Sequence, residues 1–126
     1  VSRVLIVEDS VAQSAIIADI VRQAGHQPIV YNSLPVGVSQ IVLTDQPDLV
    51  LLDLRLADAE GNPIADGFQL CREIKKTPLR PPVVIITAEG DDEACQWALL
   101  QGADAYIQKP FAPDDLTQIM AEILST

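Results

Sequence analysis

The sequence predicts an α/β domain, a parallel β-sheet with helices on both faces. Three observations carry this. Five short β-type runs alternate with five helix-period runs along the chain. Two of the β-type runs, residues 49–52 and 83–86, are apolar at every position, as in strands covered on both sides. The chain has 126 residues, 48% of them hydrophobic, enough to fill a single core in one compact domain.

The elements follow in order. Arg3-Val4-Leu5-Ile6-Val7 is the first strand. Residues 11–24 have helix spacing, with Ile16, Ile17, Ile20, Val21 and Ala24 on one stripe. Asp9 or Ser10 can cap that helix, and Gly25 follows its end. Residues 27–31 form the second strand. Pro35 is placed to open a helix running to about Thr44. Asp45-Gln46-Pro47-Asp48 is a turn. Residues 49–52 are the third strand. A helix over 68–76 presents Phe68, Cys71 and Ile74 at one spacing, with Leu70 beside them. Pro78, Pro81 and Pro82 interrupt the chain before the fourth strand, 83–86. A helix over 91–101 stops at Gly102 and sets Ala94, Cys95, Ala98 and Leu99 toward the core. Residues 105–108 are the fifth strand and 113–124 the last helix. No repeat, low-complexity tract or linker divides the chain, so residues 1–126 are expected to be one domain with no output domain among them.

Composition excludes several classes. No apolar run reaches the ~18–20 residues of a membrane span. No signal peptide is visible, so a cytoplasmic domain is expected. A net charge of -10 repels phosphate backbones and argues against direct nucleic-acid binding. Cys71 and Cys95 form no zinc pattern and read as packed free thiols.

In open α/β sheets, ligands bind outside the carboxyl ends of the strands. Glu8-Asp9, Asp53, Thr87-Ala88 and Lys109-Pro110 stand at those ends. Each residue alone would be an ordinary cap, loop residue or surface charge; together they make a site. Three close carboxylates repel, and without a cation at least one pKa must rise. All-oxygen donors favour a hard dication, Mg²⁺ or Mn²⁺. A dication with Lys109 suits a dianionic phosphoryl group, whose transfer depends on positioning and electrostatics. A carboxylate can itself be the nucleophile. Asp53, central and ending a buried strand, is the natural acceptor, with Glu8 and Asp9 holding the metal directly or through water.

These residues lie in VLIVEDS (4–10), DLVLLDLRL (48–56), DGFQLCREIK (66–75), PPVVIITA (81–88) and GADAYIQKPF (102–111). In them the chain resembles the receiver domain of two-component response regulators over essentially its whole length. The resemblance implies a (βα)5 doubly wound, flavodoxin-like fold with strand order 2-1-3-4-5. It implies that Asp53 takes a phosphoryl group from a histidine kinase or phosphotransfer protein, in self-catalysed phosphorylation and slow dephosphorylation. It implies Glu8, Asp9, Asp53 and the backbone carbonyl of Arg55 as metal ligands. Thr87, the Ala88 backbone and Lys109 would bind the phosphoryl group, and Tyr106 would be the switch aromatic. The Lys109–Pro110 bond would be cis. Readout to a downstream effector or fused output domain, and homodimerisation, would use the surface of the fourth helix, fifth strand and fifth helix. Arg55 and Glu89, two residues after Asp53 and Thr87, would tune the lifetime of the phosphorylated form.

The chain departs from the family pattern after the acceptor. Position 57 is Ala where the family usually has Pro. Asp66-Gly67 arrives about six residues later than usual, an insertion that surface loops tolerate. The segment 57–65, with turn residues Gly61-Asn62-Pro63, is expected to protrude beside the site, either as a neutral insertion or as a partner contact. Trp97 reads either as packed against a neighbouring element or as an exposed interface anchor. His26 reads as structural or superficial. Two competing functions remain: a pseudo-receiver acting by protein contact alone, and an aspartyl-nucleophile phosphatase, which Arg55 disfavours because that class carries D-x-D. A nucleotide or flavin module lacks its glycine fingerprint here.

Overall fold

The computed structural model describes residues 2–33, 36–53, 55–57, 63–88, 96, 97 and 99–124; for 55–57, 63–67, 87 and 88 it describes the backbone. In chain order the elements are β1 (Arg3–Val7), α1 (Val11–Gln23), β2 (Gln27–Tyr31), α2 (Val38–Asp45), β3 (Leu49–Asp53), β4 (Arg55–Ala57), β5 (Pro63–Asp66), α3 (Gly67–Lys75), β6 (Val83–Ala88), β7 (Ala105–Lys109) and α4 (Pro113–Leu124). Gln96, Trp97, Leu99 and Leu100 are also helical, and the Gly102 N–H closes that turn on Leu99 O at 3.1 Å.

Five strands form one parallel sheet in the order β2-β1-β3-β6-β7. With the β4–β5 pair set aside, this is the expected 2-1-3-4-5 order. The crossover helices pack on both faces, and strand periodicity divides the core accordingly. Leu5, Val7, Val50, Leu52, Val83 and Ile85 meet residues of α2 and α3 on one face. Val4, Ile6, Leu49, Leu51, Val84 and Ile86 meet α1 and α4 on the other. Burying strands on both faces is what their uninterrupted apolar runs require.

Several sequence expectations are corrected. Ile16 lies outside the core, 61% exposed, whereas Ser14 and Ala18 are buried in α1. Small side chains occupy the edge of the helix stripe where the longer Ile16 was expected. The cap of α1 is as expected, with Ser10 the one of the two candidates used: its Oγ accepts from the Gln13 N–H at 3.2 Å. Helix α2 starts at Val38 with Gly37 as N-cap, later than Pro35, which lies outside the described residues. Strands β6 and β7 run past their apolar residues to Ala88 and Lys109, because ladder pairing with a neighbour continues there. The stretch after Asp53 is not wholly a loop. Arg55–Ala57 and Pro63–Asp66 pair as an antiparallel hairpin, with Arg55 opposite Asp66 and an irregularity at Leu56/Ala57. Pro63 is tolerated because it opens its strand. Residues 58–62 of the expected protrusion lie outside the described residues.

Among the described residues, no helix is long and apolar enough to cross a membrane. Cys71 is a buried free thiol. Burial pushes its pKa up. Cys95 lies outside the described residues.

Candidate functional site

Because the five strands are parallel, their carboxyl ends share one edge. β1 and β3 are neighbours with Val7 opposite Leu52, so Glu8 and Asp53 leave the sheet side by side. Beside them, Thr87 pairs with Gln108 and Ala88 with Lys109. Glu8, Asp9 and Asp53 each bring one carboxylate oxygen to within 4.8 Å of the others. From the far side, Lys109 Nζ donates to Glu8 Oε1 at 2.8 Å and lies 3.8 Å from Asp53 Oδ2.

Glu8 is the unusual member. It is 1% exposed, and among the described residues no hydrogen-bond donor faces its buried Oε2. Burial of the carboxyl, then a hydrogen bond to Asp53 that needs a proton, push its pKa up to about 8, against the opposing pull of Lys109. The backbone around it is held firmly. Glu8 N donates to Tyr31 O at 3.1 Å, and Asn32 Nδ2 donates to Glu8 O at 2.8 Å and to Ser14 Oγ at 2.9 Å.

This donor set fits a hard dication. All three side chains offer oxygen, and Glu8 Oε2 is a ligand atom that no donor among the described residues meets. A proton on Glu8 relieves the same repulsion when no cation is bound.

The remaining predicted residues are placed as follows. Arg55 opens β4 two residues after Asp53. Thr87 and Ala88 end β6. Tyr106 lies in β7 opposite Ile85 and is 40% exposed. The Lys109–Pro110 peptide is cis. Glu89 lies outside the described residues. Trp97 and Leu100 are exposed, and so is Leu99, which the sequence pattern sent to the core; Ala94 and Ala98 lie outside the described residues. His26 is half-buried at the start of β2, its N–H donating to Val21 O at 3.1 Å.

Sequence reasoning missed Gln13, Ser14 and Asn32. Gln13 Oε1 accepts from Lys109 Nζ at 2.5 Å. The available signal was position: these residues follow β1 and β2 within a helical turn, at the edge where the acids emerge.

The family model that matches this chain is the response regulator receiver domain, over residues 4–121. The chain belongs to that family. It is a receiver domain of the two-component response regulators. It is 34% identical over 116 residues to the phosphate regulon transcriptional regulatory protein PhoB of Escherichia coli (strain K12), covering 90% of this chain and 48% of that protein. It is 36% identical over 122 residues to the transcriptional regulatory protein BaeR of Escherichia coli O6:H1, covering 97% and 48%. The receiver domain thus spans about half the length of these curated relatives. Among solved structures, a putative response regulator from Chloroflexus aurantiacus J-10-fl superposes with a TM-score of 0.87 at 29% identity, covering 99% of this chain and 98% of that one. The receiver domain of NtrX from Brucella abortus gives 0.81 at 31%, covering 98% of each.

Proposed function

We propose that this receiver domain is a phosphorylation switch whose acceptor is Asp53. The observation that carries the reading is the meeting of Glu8, Asp9 and Asp53 within 4.8 Å, with Lys109 across from them. The donor is the phosphohistidine of a histidine kinase or phosphotransfer protein. An Asp53 carboxylate oxygen attacks phosphorus and the O–P bond forms. The P–N bond to the donor imidazole breaks, and its electron pair stays on the ring nitrogen, which takes up a proton. Glu8, Asp9, Asp53 and the Arg55 carbonyl would hold Mg²⁺ or Mn²⁺, which when bound supplies positive charge to the phosphoryl oxygens.

The chain's own residues do the rest. Lys109 pairs with a phosphoryl oxygen, and the Ala88 N–H and Thr87 hydroxyl donate to the others. The register that links Thr87 and Ala88 to Gln108 and Lys109 supports coupling these movements to β7 and Tyr106. The phosphoryl group shifts the population by its better fit to the active state. Arg55 and Glu89, flanking the acceptor and switch positions, set the access of water and so the lifetime.

The donor protein must approach outside the strand ends. Next to that edge lies an apolar groove of about 570 Å³ between α1 and the β7–α4 connection, lined by Ile16, Ile17, Ile20, Pro110, Phe111 and Pro113. It is the surface on which a helix carrying the donor histidine would rest. The exposed Tyr106, Trp97 and Leu100 form the output face, for homodimerisation or for an effector or fused output domain. PhoB and BaeR are named transcriptional regulators, and an output of that kind in the cytoplasm fits this chain.

The test is intact-mass analysis after incubation with acetyl phosphate, with and without Mg²⁺, against Asp53→Asn. One labile, Mg²⁺-dependent adduct of a single phosphoryl group, absent from the variant, is expected. No adduct from either acetyl phosphate or a phosphorylated histidine protein would make the chain a pseudo-receiver. Multiple turnover of an external phosphoester would make it a phosphatase.

A further inference from the structure

We infer that Gln13 is a positioning residue for Lys109, holding the ammonium in its resting place and lowering its readiness to bind a phosphoryl group. The inference rests on the phosphorylation reading above. A lysine ammonium has three donors and no acceptor. Here two of them are committed: Nζ donates to Glu8 Oε1 at 2.8 Å and to Gln13 Oε1 at 2.5 Å. Asp53 Oδ2, at 3.8 Å, is in ion-pair range but beyond a hydrogen bond. The third donor has Asp53 only at 3.8 Å, so to reach an oxygen carried on Asp53 Nζ must shift, and its two present hydrogen bonds resist that shift.

The two partners differ. Glu8 belongs to the acidic trio, so a dication there competes with Lys109 for its oxygens. Gln13 is a neutral amide outside the trio, and nothing in the metal's arrival weakens its hold. Its backbone is fixed, because Gln13 N–H donates to the capping Ser10 Oγ at 3.2 Å in the first turn of α1. Gln13 and Lys109 also border the apolar groove together, so the amide faces Lys109 from a wall that offers it little other polar company. Gln13 is therefore the resting-state partner that phosphorylation must displace, and its side chain sets the balance between the two positions of Lys109.

The test is a titration with trifluoroberyllate in saturating Mg²⁺, read by the ¹⁹F resonance of the bound phosphoryl mimic. Gln13→Met keeps the length of the side chain and removes its amide acceptor. It is expected to tighten binding by about five-fold, in line with the net worth of one hydrogen bond. Gln13→Glu, which holds the ammonium more strongly, is expected to weaken it. Both effects should vanish in a Lys109→Met background titrated to millimolar beryllium, which a merely structural role for Gln13 would not produce. Affinity in Gln13→Met equal to or below that of the wild type would overturn the inference, as would the same change without Lys109. If wild type binds the mimic and Gln13→Met does not differ, only this inference fails. If wild type binds none, the phosphorylation reading fails with it.

Discussion

Binding of Mg²⁺ to this domain is expected to expel a proton from Glu8. The side chain is 1% exposed, and burial with a shared hydrogen bond to Asp53 lifts its pKa to about 8. A dication takes ionised oxygens, so the proton must leave first. At pH 7, one unit below that value, only about one Glu8 in ten is ionised, and apparent Mg²⁺ affinity should lie ~10-fold under its plateau. At pH 6 the deficit should be ~100-fold, which is ~1.4 kcal/mol for each pH unit. Calorimetric titration in two buffers of different ionisation enthalpy measures the protons directly. Close to one proton per Mg²⁺ is expected at pH 6.5, falling toward none at pH 9. Stability without metal should show the same group with the opposite sense. A carboxyl whose folded pKa is raised gives stability that is complete below its unfolded value, near 4.5, and is lost as pH climbs to about 8. Metal-free stability should therefore decline across that window by at most ~1.4 kcal/mol per unit. Saturating Mg²⁺ should flatten the slope above pH 6, because neither the folded nor the unfolded Glu8 then holds a proton. An affinity flat from pH 6 to 8 with no proton released would refute the buried-acid account of Glu8.

Two other perturbations test the scaffold under the site. Asn32→Ala removes the donor that ties Glu8 O to Ser14 Oγ, and should cost about 1–2 kcal/mol in urea denaturation while weakening Mg²⁺ several-fold; an unchanged Mg²⁺ affinity would show that the Glu8 backbone does not need this anchor. Ile85→Ala opens a cavity at a fully buried position in the middle of β6, and is expected to cost about 3 kcal/mol. Its Mg²⁺ affinity in the folded protein should hold, because Ile85 packs away from the acids, and a loss there would mean that the core transmits strain to the site.

The sheet was legible because its strands announce themselves: only a strand covered on both sides tolerates Leu-Val-Leu-Leu or Val-Val-Ile-Ile without a polar break. The acids were legible by the same route, since a buried strand that ends on Asp53 must open onto an edge. Helix α1 shows where pattern stops being enough. Ile16 and Ile17 are one step apart on the helix, and hydrophobicity alone does not say which flank of the stripe Ile20 and Val21 extend. Packing selects the side where Ser14 and Ala18 lie, leaving Ile16 to border the groove. The hairpin was hidden for another reason. Its strands have three and four residues and one begins with Pro63, so alternation is too short to register and turn chemistry dominates the reading. Gln13 and Asn32 carry no signal beyond their position after β1 and β2. Gln13 meets Lys109 across 96 positions of sequence, and a lone amide acquires meaning only from what folding sets opposite it.

The charge balance of the site explains why its chemistry should need a metal at all. Among the described residues three carboxylates face one ammonium, an excess of negative charge that, with burial, pushes the Glu8 pKa up. With a proton on Glu8 a phosphoryl dianion would meet described side chains that are still net negative, and Lys109 is engaged with Glu8 and Gln13. Exchanging the proton for a dication brings the same residues to neutrality. In holding a dication, Glu8 would also have less to offer Lys109 through its Oε1. Acids holding a dication would no longer repel the incoming group, and Glu8 would loosen one of the two ties on the lysine proposed to receive it. The tie to Gln13 remains, and it is broken only when a phosphoryl oxygen on Asp53 offers the ammonium a charged partner in place of a neutral amide. On the proposed function the order would follow from the strengths: Glu8 would give up its proton, the three acids would hold the dication, Asp53 would take the phosphoryl group, and Lys109 would turn last.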